Sequence, residues 1–132
     1  MVRLQVALWI AGCACAAVAA EPPASPAGEI QLVAPGAKLQ KLAGGFAFTE
    51  GPAADAQGNV FFTDQPNDRI LRWGIDGKLT TFLQPSGRSN GLCFDAQGHL
   101  WACADLRNEL WRIDPQGKVT VVVRDYQGKL LN

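Results

Sequence analysis

The sequence predicts an all-β protein built from β-propeller blades. A unit of about forty residues occurs twice, and each copy divides into four short stretches with the pattern of strands. In addition, no window beyond the first twenty residues has helical periodicity over ten positions. Short strands about ten residues apart, inside units of about forty, are typical of propeller blades.

The repeat needs no gaps. When residues 50–80 are laid over residues 90–120, nine positions are identical, whereas ordinary residue frequencies would give about two. The tetrapeptide "DAQG" recurs unchanged, and a polar residue, Glu50 or Asn90, stands directly before a glycine in each copy. A period of this length indicates repetition of one supersecondary unit.

Each unit is predicted to form a four-stranded antiparallel sheet, over residues 50–83 and 90–123. In the first unit the strands are "GPAAD", "VFFTD", "RILRW" and "LTTFL". They are rich in β-branched and aromatic residues, and the segments between them contain Gly, Asn, Asp and Pro, which favour turns. The second unit repeats them as "GLCFD", "LWACA", "ELWRI" and "VTVVV". The two "DAQG" segments are expected to be hairpin turns, since they lack the spaced acidic residues of an EF-hand.

A further strand is predicted just before the first unit, over residues 38–43. Lys38 lies forty residues before Lys78, which itself lies forty before Lys118, and an apolar residue follows each lysine. The segment therefore matches the outermost strand of a blade that has no other strands in this chain. Closed propellers use such a strand to complete their last blade and remove a free sheet edge.

Residues 1–20 have the pattern of a secretory signal peptide. One basic residue precedes an uncharged apolar run that ends in small residues, and cleavage is expected after Ala19 or Ala20. The alternatives are a membrane anchor and a lipoprotein box ending at Cys13. Residues 21–36 are rich in Pro and Ala and are predicted to be a linker. The protein is thus expected to be secreted or periplasmic, without a membrane span after cleavage.

Charge and cysteine content narrow the function classes. The formal net charge is zero and no Lys/Arg cluster occurs, so no nucleic acid partner is expected. Cys93 and Cys103 remain after the signal, and their spacing does not suggest a zinc site. They are either two small buried thiols or, if the strand register places them opposite each other, a disulfide.

The chain resembles the gluconolactonase family, which includes the senescence marker protein regucalcin. The stretches that carry the resemblance are "FTEGPAADAQGNVFFTDQPNDRILRW", "SNGLCFDAQGHLWAC" and "YQGKLLN". It extends from about Lys38 to Asn132, nearly all of the chain after the signal. The resemblance implies a six-bladed propeller with one divalent metal in its central channel, and hydrolysis of sugar lactones; some relatives act on organophosphate esters.

The resemblance also assigns a role to the residues that precede the repeated glycines. In the family the glutamate of "TEGP" is a metal ligand, and the match carries that role to Glu50. Asn90 occupies the same place in the next blade and is expected to line the cavity or contact substrate. Oxygen side chains brought together on a propeller axis suit a hard cation. Ca²⁺ is the expected ion, with Zn²⁺, Mg²⁺ and Mn²⁺ as alternatives.

No residue is assigned a catalytic role. His99 lies in a turn, and with no other histidine in the sequence a Ser-His-Asp arrangement has no support. In the family the remaining metal ligands follow the point where this sequence ends, and Asn132 is not assigned as one of them. The expected substrate is a small-molecule lactone; the oligomeric state is left open.

Residues 37–132 are expected to be part of a six-bladed propeller. Six units of forty residues require about 240 residues, so the chain is expected to be the amino-terminal portion of a lactonase and inactive alone. Two alternatives are a non-catalytic secreted propeller that binds protein or glycan, and a module whose copies assemble into a closed ring.

Overall fold

The structure, a computed structural model, describes residues 33–131. The chain divides into two compact units, Met1–Leu39 and Gln40–Asn132. In the first unit the described residues, 33–39, contain a turn and neither strand nor helix. The second unit carries every strand described below.

The predicted signal peptide, residues 1–20, lies outside the described residues, as does most of the linker predicted over residues 21–36. Both therefore stay predictions. Within residues 33–131, no helix has the length and apolar character needed to cross a membrane.

The second unit contains two four-stranded antiparallel sheets, and in both the strands pair in chain order. Every strand of the second sheet begins and ends forty residues after its counterpart in the first, which confirms the predicted blades. A single 3₁₀ turn, Gln65–Asn67 or Asp105–Arg107, links the second and third strands of each blade. The strands are β1 Thr49–Ala54, β2 Val60–Asp64, β3 Arg69–Trp73, β4 Leu79–Leu83, β5 Ser89–Phe94, β6 Leu100–Ala104, β7 Glu109–Ile113 and β8 Val119–Val123, followed by the hairpin of β9 Asp125–Tyr126 and β10 Lys129–Leu130.

One aspartate geometry builds three of the hairpin turns. Asp55, Asp95 and Asp114 each accept hydrogen bonds from the backbone amides two and four residues further along, at 2.8 to 3.0 Å. Gly58 and Gly98 follow in the same turns with φ of 91° and 82°, a region that glycine enters without strain. These carboxylates stabilise turns, which explains why "DAQG" is repeated and confirms the hairpin prediction.

The hydrophobic core lies between the two blades. Phe61 of β2 packs edge-on against Phe82 of its own blade and Phe94 of the next, with both ring-centroid distances at 5.0 Å. Each residue of the innermost cluster is at most 5% exposed, so burial of this apolar surface is the main force that joins the blades. The cluster consists of Phe61, Ile70, Leu100, Ala102 and Ile113.

The outer strand predicted over residues 38–43 stays a prediction, because the blade that it would complete has no other strands among the described residues. These residues carry no strand assignment and are mostly exposed. A β-strand requires a neighbour with which to exchange backbone hydrogen bonds, and none of the described strands pairs with this segment.

Cys93 and Cys103 are both free and exposed. The strand register places Cys93 opposite Trp101, and Cys103 opposite Leu110 of β7. Because the two cysteines are not opposite each other on the paired strands β5 and β6, they are poorly placed for a disulfide. Of the two alternatives that the sequence left open, a disulfide or two buried thiols, the structure shows thiols, but they are exposed and not buried.

Candidate metal site where the inner strands begin

Glu50 and Asn90 occupy equivalent places on β1 and β5, the first strand of each blade, which we call the inner strands. Each is the second residue of its strand and stands directly before a glycine. The ladder between each inner strand and its neighbour shifts register at this point, between Glu50 and Ala53 in β1 and between Ser89 and Leu92 in β5. Such bulges bend a strand and re-aim its side chains, so the repeat produces the same irregularity at both candidate residues.

The two inner strands lie against each other at this point. Thr63 of β2 is fully buried, and its hydroxyl lies 3.0 Å from the carbonyl oxygen of Glu50 and 3.3 Å from that of Asn90. One hydroxyl group therefore reaches the backbone of both candidate residues. The predicted convergence of Glu50 and Asn90 is present at the level of the backbone.

Gly51 shows how close this approach is. Its φ is 59°, and a Cβ placed on it would overlap the carbonyl oxygen of Asn90 and lie 3.2 Å from Cα of Gly91. No other residue type fits without moving one inner strand away from the other. The glycine of "TEGP" is thus required by the packing of two strands, and not only by a turn.

The side chains supply oxygen donors suited to a hard cation. Glu50 is half-buried. Among residues 33–131 its carboxylate has no hydrogen-bond partner, and the contact with the Thr63 hydroxyl is made by its backbone carbonyl oxygen. Asn90 is also half-buried, and its Oδ1 accepts a hydrogen bond from the amide of Gly91 at 2.6 Å. Since an amide oxygen has two lone pairs, Asn90 can still serve as a ligand.

The described residues provide only part of a ligand set. Among residues 33–131, no group of three or more His, Cys, Asp and Glu side chains could hold a metal ion. Glu50 and Asn90 offer at most about three oxygens, against the about six to eight that Ca²⁺ takes. The donor chemistry therefore fits a hard cation, while the number of donors does not suffice for tight binding.

The link between the blades positions Asn90 from the other side. The Asp68 carboxylate accepts hydrogen bonds from the amide and hydroxyl of Ser86 at 3.1 and 3.2 Å and from the amide of Arg88 at 2.6 Å. Ser89 then donates from its hydroxyl to the Ser86 carbonyl at 2.6 Å. These bonds order the connection that enters β5 directly before Asn90.

His99 lies away from the candidate residues along the chain, as predicted. It sits in the turn between β5 and β6, whereas Asn90 is near the start of β5. Its Nδ1 lies 3.1 Å from Asp95 Oδ2. The hydrogen bond from the Trp101 indole, with those from His99, lowers the pKa of Asp95 to about 2, although the partial burial of Asp95 alone would raise it.

Nothing in the sequence pattern had indicated a role for Thr63, Asp64 or Asp68. Thr63 and Asp64 have no identical counterpart in the second blade, where Cys103 and Ala104 stand at the equivalent positions. The available signal was that these two positions differ between otherwise similar units. It could have directed attention to the end of β2, although not to the partners of these side chains.

Comparison with known proteins identifies the family. The profile described as the SMP-30/gluconolactonase/LRE-like region matches residues 5–124, beginning inside the predicted signal peptide. A gluconolactonase of Zymomonas mobilis is 28% identical over 109 residues, covering 71% of this chain and 31% of the relative. This chain thus spans about a third of the length of that relative.

Solved structures of similar proteins point to the same family. A protein described as a proposed gluconolactonase is 38% identical, with a TM-score of 0.69 over 75% of this chain and 35% of its own. A gluconolactonase of Xanthomonas campestris is 34% identical, with a TM-score of 0.63 over 66% of this chain and 30% of its own. A calcium-binding protein, regucalcin, of Agrobacterium tumefaciens is 22% identical, with a TM-score of 0.54 over 66% of this chain and 32% of its own, and shows likeness of fold alone. The chain belongs to the SMP-30/gluconolactonase/LRE-like family, and its two sheets are blades of that family's β-propeller.

Proposed function

We propose that this chain supplies the first two blades of a metal-dependent sugar-lactone hydrolase and, within them, the first ligands of its cation site. The observation that carries the proposal is the junction of the inner strands. There the backbone carbonyl oxygens of Glu50 and Asn90 both contact the Thr63 hydroxyl. Family membership supplies the reaction class, because relatives that are 28% and 34% identical are described as gluconolactonases.

The roles of the residues follow from their donors. Glu50 would bind the cation through its carboxylate, and Asn90 would either bind it through Oδ1 or donate from its Nδ2 to a substrate oxygen. Ca²⁺ is the proposed ion, since both donors are hard oxygens. When bound, the cation would polarise the lactone carbonyl or acidify a water molecule for attack.

The described residues alone should hydrolyse lactones no faster than background. Two side chains with about three oxygens leave most of the coordination to water, and a site that is not organised beforehand binds weakly. Two blades also provide no wall on the far side of the inner strands to orient a substrate. We therefore attribute activity to a complete propeller that contains these blades.

A chimera tests the proposal directly. Residues 38–131 would replace the matching portion of the Xanthomonas campestris gluconolactonase, and gluconolactone hydrolysis would be measured with and without chelator. We expect an enzyme that is inhibited by chelator, and we expect Glu50→Gln to lower both metal affinity and kcat/KM by about 100-fold. Losing a residue that only hydrogen-bonds to a metal ligand costs about 10- to 100-fold, and Glu50 is proposed as a ligand itself.

Asp76→Asn is the matched control, because it makes the same change from carboxylate to amide at a side chain that is 54% exposed. It should leave turnover within about twofold, as expected for an exposed surface position. A folded chimera whose turnover ignores both chelator and Glu50→Gln would contradict the metal assignment. A folded chimera that is inactive, beside an active parent enzyme, would favour a non-catalytic binding module.

We also propose that the protein is exported, on the pattern of residues 1–20. The mature chain should begin at Ala20 or Glu21, because small or modest residues lie one and three positions before both cuts, Ala19 and Ala17 for the first and Ala20 and Val18 for the second. Mass spectrometry of the protein recovered from the periplasm or medium checks this. Finding residues 1–19 still attached, or a lipid on Cys13, would contradict cleavage by a signal peptidase at this site.

A further inference from the structure

Thr63 is a buried polar side chain that the strand pattern of β2 does not explain. It is 0% exposed, in a position where a β-branched apolar residue would pack equally well. A buried hydroxyl is retained at a cost unless it forms hydrogen bonds. The partners of Thr63 are the carbonyl oxygens of Glu50 and Asn90, at 3.0 and 3.3 Å.

We propose that Thr63 is the positioning residue of the cation site and that its hydroxyl sets the spacing between the side chains of Glu50 and Asn90. The inference rests on the proposed function, in which these two side chains face the same cation. Each carbonyl belongs to the residue whose side chain would bind. A change in the distance between the carbonyls therefore moves the two Cα atoms, and with them the donors.

The register shifts explain why a side chain is needed here. The regular pairing between β1 and β2 is interrupted between Glu50 and Ala53, and that between β5 and β6 between Ser89 and Leu92. Backbone groups at a bulge lose part of their ladder and seek other partners. Thr63 contacts both bulges with one hydroxyl group, so neither inner strand can slide without losing that contact.

The second blade shows that the repeat does not by itself require a threonine. The residue forty positions after Thr63 is Cys103, which is exposed, and its Sγ would lie 3.6 Å from a Cβ placed on Gly91. A thiol is a weak donor and would hold two carbonyls poorly. The hydroxyl is present at the boundary where two candidate ligands meet.

Paramagnetic broadening with Mn²⁺ tests this inference on the chain itself. Mn²⁺ favours the same oxygen donors as Ca²⁺, and NMR detects even weak binding through the loss of nearby amide signals. In the ¹⁵N-labelled protein we expect the signals of Glu50 and Asn90 to broaden together. In Thr63→Val the midpoint of the titration should rise about fivefold to tenfold, the effect of losing one buried hydrogen bond, and Thr63→Ser should restore it to within about twofold.

Thr80→Val is the matched control, because the Thr80 hydroxyl also contacts a backbone carbonyl, that of Arg72 at 3.5 Å, but on the outer strand β4. All variants are compared at a temperature where circular dichroism shows them folded, so that a loss of stability alone leaves the midpoint unchanged. A second measurement needs no metal: the nuclear Overhauser contact between Gly51 and Gly91 should weaken in Thr63→Val only.

The outcomes separate the two proposals. If Glu50→Gln removes the broadening while Thr63→Val keeps both the midpoint and the Gly51–Gly91 contact of the wild type, the positioning role is overturned and the cation site stands. If Mn²⁺ causes no localised broadening at Glu50 in the wild type, both proposals are overturned for this chain. Broadening that shifts in Thr63→Val and returns in Thr63→Ser supports both.

Discussion

Replacing Asp64 with alanine should destabilise the protein by about 3 to 5 kcal/mol, as when one partner of a buried ion pair is removed, because the 26% exposed Arg69 is only one of four residues whose donors lose this acceptor. Asp64 is 0% exposed, and its Oδ2 accepts hydrogen bonds from Asn67 at 2.8 Å and from Arg69 at 2.7 and 3.0 Å. Its Oδ1 accepts from the amides of Ala47 and Phe48 at 3.0 and 3.3 Å. Alanine would leave these donors without their acceptor at once.

The effect should be visible as a fall in Tm of roughly 12 to 40 °C, since about 1 kcal/mol shifts the Tm of a domain this size by about 4 to 8 °C. Thermal unfolding followed by circular dichroism measures it. Asp105→Ala is the control, because Asp105 is exposed and its carboxylate has no side-chain hydrogen bond to residues 33–131. A loss in Asp64→Ala no larger than in Asp105→Ala would contradict the network.

The pH dependence of stability gives a second measure of Asp64. Burial raises its pKa, but the hydrogen bonds from Asn67, Arg69 and the two amides outweigh burial and lower the pKa to about 2, from an ordinary value of 3.8. A carboxyl group whose pKa is depressed on folding stabilises the protein above its ordinary pKa. This stabilisation should be lost as the pH falls from about 4 to about 2.

Asp64→Asn should remove part of this acid dependence, because the amide does not titrate. Part will remain, since the pKa of Asp95 is lowered to about 2 as well, chiefly by the Trp101 indole. Urea unfolding at several pH values measures both. If the stability of wild type and Asp64→Asn falls by the same amount over this range, the pKa of Asp64 is not lowered on folding as described.

The strands could be predicted because local chemistry determines them. The turn aspartates bond to amides within four residues, and the β-branched stretches between them leave little choice of strand position. The predicted strands "VFFTD" and "ELWRI" coincide with β2 and β7. The placement of Glu50 and Asn90 on equivalent inner strands follows from the repeat alone.

The contacts of Asp64 and Thr63 could not be predicted in the same way. Asp64 binds amides 16 and 17 residues earlier, and Thr63 reaches a carbonyl 27 residues later. Such partners depend on how two bulged strands pack, and a period-two pattern carries no signal of a bulge. Residues 38–43 form no strand here for a related reason, because a strand needs a neighbour and the predicted partner blade is not among the described residues.

The second large effect concerns the junction of the inner strands, where Gly51→Ala should destabilise the protein by about 3 kcal/mol or more. A left-handed φ costs an L-residue about 1 to 2 kcal/mol, and Gly51 has a φ of 59°. To this is added the overlap of the new Cβ with the carbonyl oxygen of Asn90. The atoms that the new Cβ would meet are backbone atoms of Asn90 and Gly91, and not the end of a flexible side chain. The overlap can therefore be removed only if β1 and β5 move apart.

Gly77→Ala isolates the second contribution. Gly77 has a φ of 73°, close to that of Gly51, but apart from its two chain neighbours no residue has an atom within 4 Å of a Cβ placed there. This variant should therefore lose only the about 1 to 2 kcal/mol of the backbone conformation. The difference between the two free energies of unfolding, measured with urea, reports the contact between the inner strands. Equal losses in the two variants would mean that the inner strands are not in close contact at Gly51. Glu50 and Asn90 would then not be held together as the structure has them, which would contradict the candidate site.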